Sequence, residues 1–343
     1  MTTMTVLRLH QPLDSIRWPQ SKRGHVESFF LKANAPQHPQ HALWLKFTLL
    51  IPNNPSEPAW AEVWALRFDG DSGQHRGAKG TFPVEQAQLS REGLGFEVDS
   101  CSLHPGRTRG DIGTGDNRIS WDLRFDYQQQ VPWMSLPSAW MYDRGFPKNK
   151  TYSSCPTTAF SGRISVATHT EQIEDWPGML GHNWGPRHNP AYHWAQCNQF
   201  QESPGTVFEG VSARIPLGPF LSPWVTMAIV RHAGKEIRFN RFSKVLNRSV
   251  EARLFSWSFR SRQANWQLKW TVEGPSKDFV ALAYIDPDGQ ENHCLNSKIA
   301  TCRLELSQKT REGWSVVADA VGERSCAYEI ISQDLNHGVP VLA

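Results

Sequence analysis

From His25 onward the chain runs in short stretches where every second residue is apolar, and this period of two limits its fold more than any other feature. In 42–51, Leu43, Leu45, Phe47, Leu49 and Ile51 share one face of a strand. After the turn at Pro52-Asn53-Asn54-Pro55, Glu62, Trp64, Leu66 and Phe68 share a face, which directs Glu62 inward. Asp69-Gly70 then ends that run as a turn. Ile119, Trp121, Leu123 and Phe125 alternate with Ser120, Asp122, Arg124 and Asp126, giving one dry face and one wet face. The only short helix candidate is Val84 to Ser90. Regularly spaced short strands with turn signals predict an all-β sandwich or barrel.

A chain of 343 residues exceeds one compact core and predicts two domains. Residues 1–22 read as a weakly ordered lead-in, 23–165 as a first barrel and 166–343 as a second, whose strands, about eight in number, suffice for closure. The first contains an irregular, aromatic-rich loop, 129–160, and a loop of that length is functional or crosses between domains. No sequence repeat links the halves.

Composition narrows the function. A hydrophobic share of 39% and a charged share of 20% fit a soluble globular protein. The net charge is +3 with acids and bases interspersed, so no basic block tracks phosphates and nucleic acid is not an expected partner. The first residues lack the apolar core of a signal peptide, and no apolar run of about 18 residues occurs. The expected location is cytoplasmic, with at most peripheral membrane contact through the substrate. Cysteines form no C-x-x-C pair, and there is no dinucleotide fingerprint, phosphate loop or G-x-S-x-G elbow. No metal or cofactor is therefore expected. The 15 Trp, 17 Phe and 6 Tyr serve either as pocket walls or as barrel filling.

The chemistry-bearing residues concentrate in Trp176-Pro-Gly-Met-Leu-Gly-His182-Asn183-Trp184-Gly185-Pro-Arg187-His188 and in Tyr192-His-Trp194-Ala-Gln196-Cys-Asn198. Glycines 178, 181 and 185 leave room for a bulky group against the backbone. As strands, these segments put Leu180, His182 and Trp184 on one face, and Tyr192, Trp194, Gln196 and Asn198 on another. His182 is the natural proton carrier, with Asp143, Asp175 and Glu209 as candidate acid partners. Trp184 and Trp194 would shelter a cation. Asn183, Arg187, Tyr192 and Gln196, together with Trp64, Trp140 and Tyr142, complete the candidate binding wall. Three other readings stay open. His182 and Asn183 could simply tie the linker to backbone groups. A zinc ion on His182, His188 and His193 would match no usual ligand spacing. Arg187 could pin an acidic headgroup or be a solvated loop arginine.

The run His182-Asn183-Trp184-Gly185, followed by Trp194-Ala-Gln196-Cys-Asn198 and Phe208-Glu209-Gly210, resembles the lipocalin-like double-barrel superfamily. That group includes carotenoid hydratases (hydroxyneurosporene synthases), tocopherol cyclases and fungal cyclases of the Diels–Alderase type. Gly181 stands where hydratase-like relatives carry an acid before the His, and His182 replaces the lysine of the cyclase-like variant. The resemblance implies two consecutive calycin barrels holding an apolar ligand at or between them. The expected activity is cofactor-independent hydration, cyclisation or isomerisation of an isoprenoid, polyketide or lipid. The alternatives are a non-catalytic lipid or pigment binder, and a module whose exposed tryptophans meet a partner protein.

Overall fold

The computed structural model describes residues 12–127, 131–332 and 334–342. The first sheet takes every strand up to residue 185. It contains β1 (His25–Asn34), β2 (His41–Ile51), β3 (Trp60–Asp69) and β4 (Arg76–Pro83). The short β5 to β8 follow (Gln88–Leu89, Phe96–Val98, Cys101–His104, Arg107–Ile112), then β9 (Ile119–Phe125), β10 (Trp133–Met134) and the long hairpin of β11 (Lys150–Val166) and β12 (His169–Gly185). Its order is β4-β3-β2-β1-β12-β11-β9-β8-β7-β6-β5, with β10 beside β11.

The second sheet begins with β13 (Ala191–Cys197) and β14 (Val207–Arg214); a separate small hairpin, β15 and β16 (Pro216–Leu217, Phe220–Leu221), comes next in the chain. It continues with β17 (Val225–His232), β18 (Lys235–Phe239), β19 (Glu251–Arg253), β20 (Ser256–Gln263), β21 (Trp266–Glu273) and β22 (Val280–Ile285). It closes with the long pair β23 (Glu291–Lys309) and β24 (Trp314–Ser332). The order β18-β17-β14-β13-β24-β23-β21-β20-β19, with β22 beside β23, repeats the first sheet's plan. In each half a meander leads away from the first strand, and the last strand returns to pair with that first strand. The duplication is therefore one of topology: two consecutive lipocalin-like antiparallel barrels.

The period-two pattern assigns the faces. Phe29, Leu31, Leu43, Leu45, Phe47, Leu49, Val63 and Ala65 fill the first barrel, and Phe208, Trp257, Phe259, Trp270, Leu295 and Tyr328 are among those filling the second. The opposite faces pack on each other. Phe30, Trp44, Trp64, Leu66 and Phe68 of the first sheet join Trp194, Leu282, Tyr284, Cys294 and Ile331 of the second in one buried seam. Glu62 and Trp64 do share a buried face, as their spacing predicts, but it turns away from the first barrel's interior; Trp64 sits in the seam and Glu62 pairs with Lys79 at 2.8 Å.

Three expectations are corrected. The boundary at 165/166 cuts the β11–β12 hairpin, whose strands both pair within the first sheet, so the crossing lies between Gly185 and Ala191. Of the expected lead-in, residues 1–11 lie outside the described residues. Residues 12–22 are anchored: Leu13 and Ile16 are buried, and the Ile16 amide donates to the Ser90 carbonyl at 2.9 Å. The irregular segment ends before Lys150, where β11 begins, and residues 129 and 130 of it lie outside the described residues.

Candidate functional site

The central motif divides over two sites because β12 and β13 belong to different sheets. On β12, His182 and Trp184 face the first barrel's end. The His182 ring stacks on Phe29, with centroids 4.0 Å apart, and lies 4.6 Å from Trp184. Its Nδ1 is 2.7 Å from the Leu13 carbonyl and its Nε2 2.9 Å from Glu27 Oε1. Both partners only accept, so both bonds are made only by the imidazolium form.

Glu27 is the hub of this cluster. Its Oε2 meets His25 Nε2 at 2.8 Å, and it accepts the backbone N–H of Arg17 at 2.6 Å and of Trp18 at 2.9 Å. Burial pushes the carboxyl up, but the hydrogen bonds and charges of His182 and His25 more than offset this and hold it at about 2. The cluster thus clamps residues 12–18 over the barrel end. The carboxylate beside His182 is Glu27, not Asp143, Asp175 or Glu209. Both ring nitrogens of the wholly buried His182 are engaged, so it ties the Leu13 carbonyl to Glu27.

Glu27 went unnoticed in the sequence, yet it carries a signal: it shares a period-two face with Phe29, Leu31 and Ala33, and a lone acid on an apolar face points inward.

The second cluster lies in the seam. Register places Trp194 opposite Val211 and Glu329, and Gln196 opposite Glu209. The Trp194 indole N–H donates to Glu209 Oε1 at 3.2 Å, and Ser153 Oγ of β11 donates to Glu209 Oε2 at 2.6 Å. Burial raises the Glu209 carboxyl above its ordinary range, against the smaller lowering from Ser153 and Trp194. Trp194 also meets Phe30 edge-on at 5.4 Å. Gly181 permits this contact, because a Cβ there would stand 2.4 Å from the Phe30 ring. The bulky group that this glycine accommodates is the protein's own phenyl ring.

Beyond Trp194, Lys298 lies 5.8 Å from its ring centre and pairs with Glu329 at 2.7 Å. Lys46 lies 3.6 Å from the Tyr284 ring centre, and burial brings its amine down to about 8. Beside Glu209 lies a cavity of about 10 Å³, room for roughly one water, whose walls include Ser135, Thr151, Trp194, Met227 and Ile229. Met227 also packs against the buried group that contains Leu13, Tyr142 and Trp184, so it adjoins both clusters.

The remaining candidates scatter. Tyr192 and Trp64 line the seam; the Trp64 N–H is buried without a partner. Gln196 donates to the Pro156 carbonyl at 3.0 Å and leaves its Oε1 unpaired. Asn183 is half-buried on the opposite face of β12 from His182. The Tyr142 hydroxyl donates to the Thr151 carbonyl at 2.9 Å and accepts the Leu136 N–H at 3.1 Å. Trp140 is exposed, Asp143 pairs with Arg17 at 3.1 Å, and Asp175 is exposed against Ser161. Arg187 bonds Asp288 at 3.0 Å and Gln290 at 2.9 Å, which pins two loops together. His188 binds Asp286 and His193 binds Tyr328, so neither of them shares a centre with His182.

Comparison with known proteins places this architecture. An uncharacterised protein of Mycobacterium tuberculosis, Rv0493c, is 24% identical over 328 residues, covering 92% of each chain. The AttH-type protein of Nitrosomonas europaea superposes with a TM-score of 0.55 at 13% identity, covering 94% of this chain and 97% of that one. CghA, crystallised with Sch210972, gives a TM-score of 0.56 at 10% identity over 90% of this chain and 88% of its own. The sequence family described as tocopherol cyclase-like matches residues 156–331, just over half of the sequence. The chain belongs to this tocopherol cyclase-like family and has a lipocalin-like double-barrel fold.

Proposed function

We propose that the protein is a non-redox enzyme of the cyclase or hydratase type, which protonates an alkene of a hydrophobic small molecule at the seam between its barrels. Glu209 is the proton donor. One observation carries this reading: Glu209 is buried with its carboxyl raised by desolvation, set among Trp194, Ser153 and a small cavity walled by Ser135 and Thr151 as well as apolar side chains. A carboxyl whose affinity for its proton is raised by burial, next to an aromatic face, suits acid addition to a carbon–carbon double bond. The family's cyclase description supports the same class of chemistry.

The step balances simply. The Glu209 proton adds to one alkene carbon, leaving a carboxylate and a carbocation facing Trp194. A water or a substrate hydroxyl bonds to the cation, and the proton it sheds returns to Glu209. The indole N–H and the Ser153 hydroxyl on the two carboxyl oxygens stabilise the carboxylate while it exists. The cavity takes about one water, so a larger molecule reaches Glu209 only when the seam parts. Met227, unbranched and flexible, is the wall that yields most readily.

A lipocalin-type binder would carry its ligand inside a barrel, and side chains occupy those interiors here. The test is turnover of a panel of prenylated phenols in heavy water. A product carrying one deuterium at the protonated carbon, lost on Glu209→Gln by roughly 10²–10⁴-fold with ligand binding kept, supports the reading. Undiminished turnover in Glu209→Gln overturns it.

A further inference from the structure

We propose that one end of the second barrel, built from residues 215–222, 240–249 and 260–263, docks on a lipid bilayer that carries anionic headgroups. These segments are joined. The hairpin closes through Ile215 N–H to Ser222 Oγ at 2.9 Å. The start of β17 is tied to the next loop by Thr226 N–H to the Val245 carbonyl at 2.7 Å and Asn247 N–H to the Trp224 carbonyl at 3.0 Å. That loop reaches β20 through Asn247 Nδ2 to the Arg260 carbonyl at 2.8 Å, and Gln263 Oε1 accepts the Arg241 N–H at 2.9 Å.

The face they form leaves large apolar side chains in the solvent. Phe220 is 75% exposed, Leu217 and Leu246 are 60% exposed, and Phe242 is 54% exposed. Phe220 and Leu217 flank the tip of the β15–β16 hairpin, where Gly218 takes a positive φ of 64°. Among these residues stand Arg241, Lys244, Arg248, Arg260 and Arg262, and between Glu236 and Glu251 the sequence has no acid. From 211 to 263 ten Lys and Arg face two Glu, in a chain whose total charge is only +3. Arg248, Arg260 and Arg262 line an open depression of about 450 Å³ beside Leu246, a place for a phosphate-bearing headgroup. The Trp314 indole, itself partly exposed, lies 5.3 Å below Arg262.

Apolar tips ringed by cations are the pattern of a surface that inserts shallowly and holds anionic headgroups. A second copy fits poorly, since a two-fold contact would set these arginines against themselves. This surface is independent of the chemistry assigned to Glu209.

The test is sedimentation of the full chain with vesicles of phosphatidylcholine alone or mixed with phosphatidylglycerol. The protein should sediment with the mixed vesicles and be released as salt rises. Arg260→Gln and Arg262→Gln should each weaken binding about fivefold, and Phe220→Ser about tenfold or more. All three sites are exposed, so the fold should be unaffected. No sedimentation with either vesicle, binding that ignores lipid charge and salt, or a concentration-dependent dimer abolished by Phe220→Ser would each overturn the proposal.

Discussion

Replacing Glu27 by Gln removes the charge on which the first cluster turns. In the folded protein the carboxyl sits at about 2 and its ordinary value is 4.5. That difference is worth about 3 kcal/mol, at about 1.4 kcal/mol per pH unit. The sign follows from the depressed value: the stabilisation is complete above about pH 4.5 and drains away as pH falls toward about 2. Glu27→Gln should therefore be about 3 kcal/mol less stable at neutral pH, close to the cost of breaking a buried pair by removing one partner. The two proteins should converge as acid is added. Urea unfolding followed by tryptophan fluorescence across that range measures the gap. Because Glu27 holds the Arg17 and Trp18 amides, the variant should also be cut sooner by protease near its N-terminus. A gap that stays constant from about pH 6 to about pH 3 would refute the assignment.

Other consequences can be measured in the same way. Burial takes His193 from 6.5 down to about 4, so only the unfolded chain takes up its proton between those values. Stability should fall by about 3 kcal/mol as pH drops through that window, and His193→Gln should flatten this upper leg alone. Lys298→Met leaves Glu329 without its partner at 2.7 Å and should cost about 3–5 kcal/mol, whereas adding Glu329→Leu should recover most of the loss. Trp64→Phe removes an indole N–H that has no partner, while Trp121→Phe breaks a bond to Thr108 Oγ1 at 3.0 Å. The second substitution should cost about 1 kcal/mol more than the first in urea melts.

Strand parity was legible in the sequence. Leu43 to Ile51 and Ile119 to Phe125 alternate as their spacing predicts, and His182 does share a face with Trp184. Sheet membership was not. β12 and β13 both look like strands of one aromatic motif, yet a crossing of five residues sends them to different barrels. The face of Trp184 and the face of Trp194 consequently serve different clusters. Nothing local records this, since which sheet a strand joins depends on long-range pairing with β1 or β24. Asp143 reaches the first cluster only through Arg17, and Asp175 is exposed outside both, while Glu209, one strand over from Gln196, meets Trp194. The lead-in was misread for another reason. Its anchors, Leu13 and Ile16, are too few to form a pattern, and their partners lie far along the chain.

The difference infrared spectrum of wild type against Glu209→Gln, followed through a pH titration, bears most directly on the seam as the place of chemistry. A protonated carboxyl stretch present only in the wild type, and titrating above the ordinary glutamate value of 4.5, is the predicted result. A band that has already vanished at or below that value would mean that Glu209 holds no proton to give.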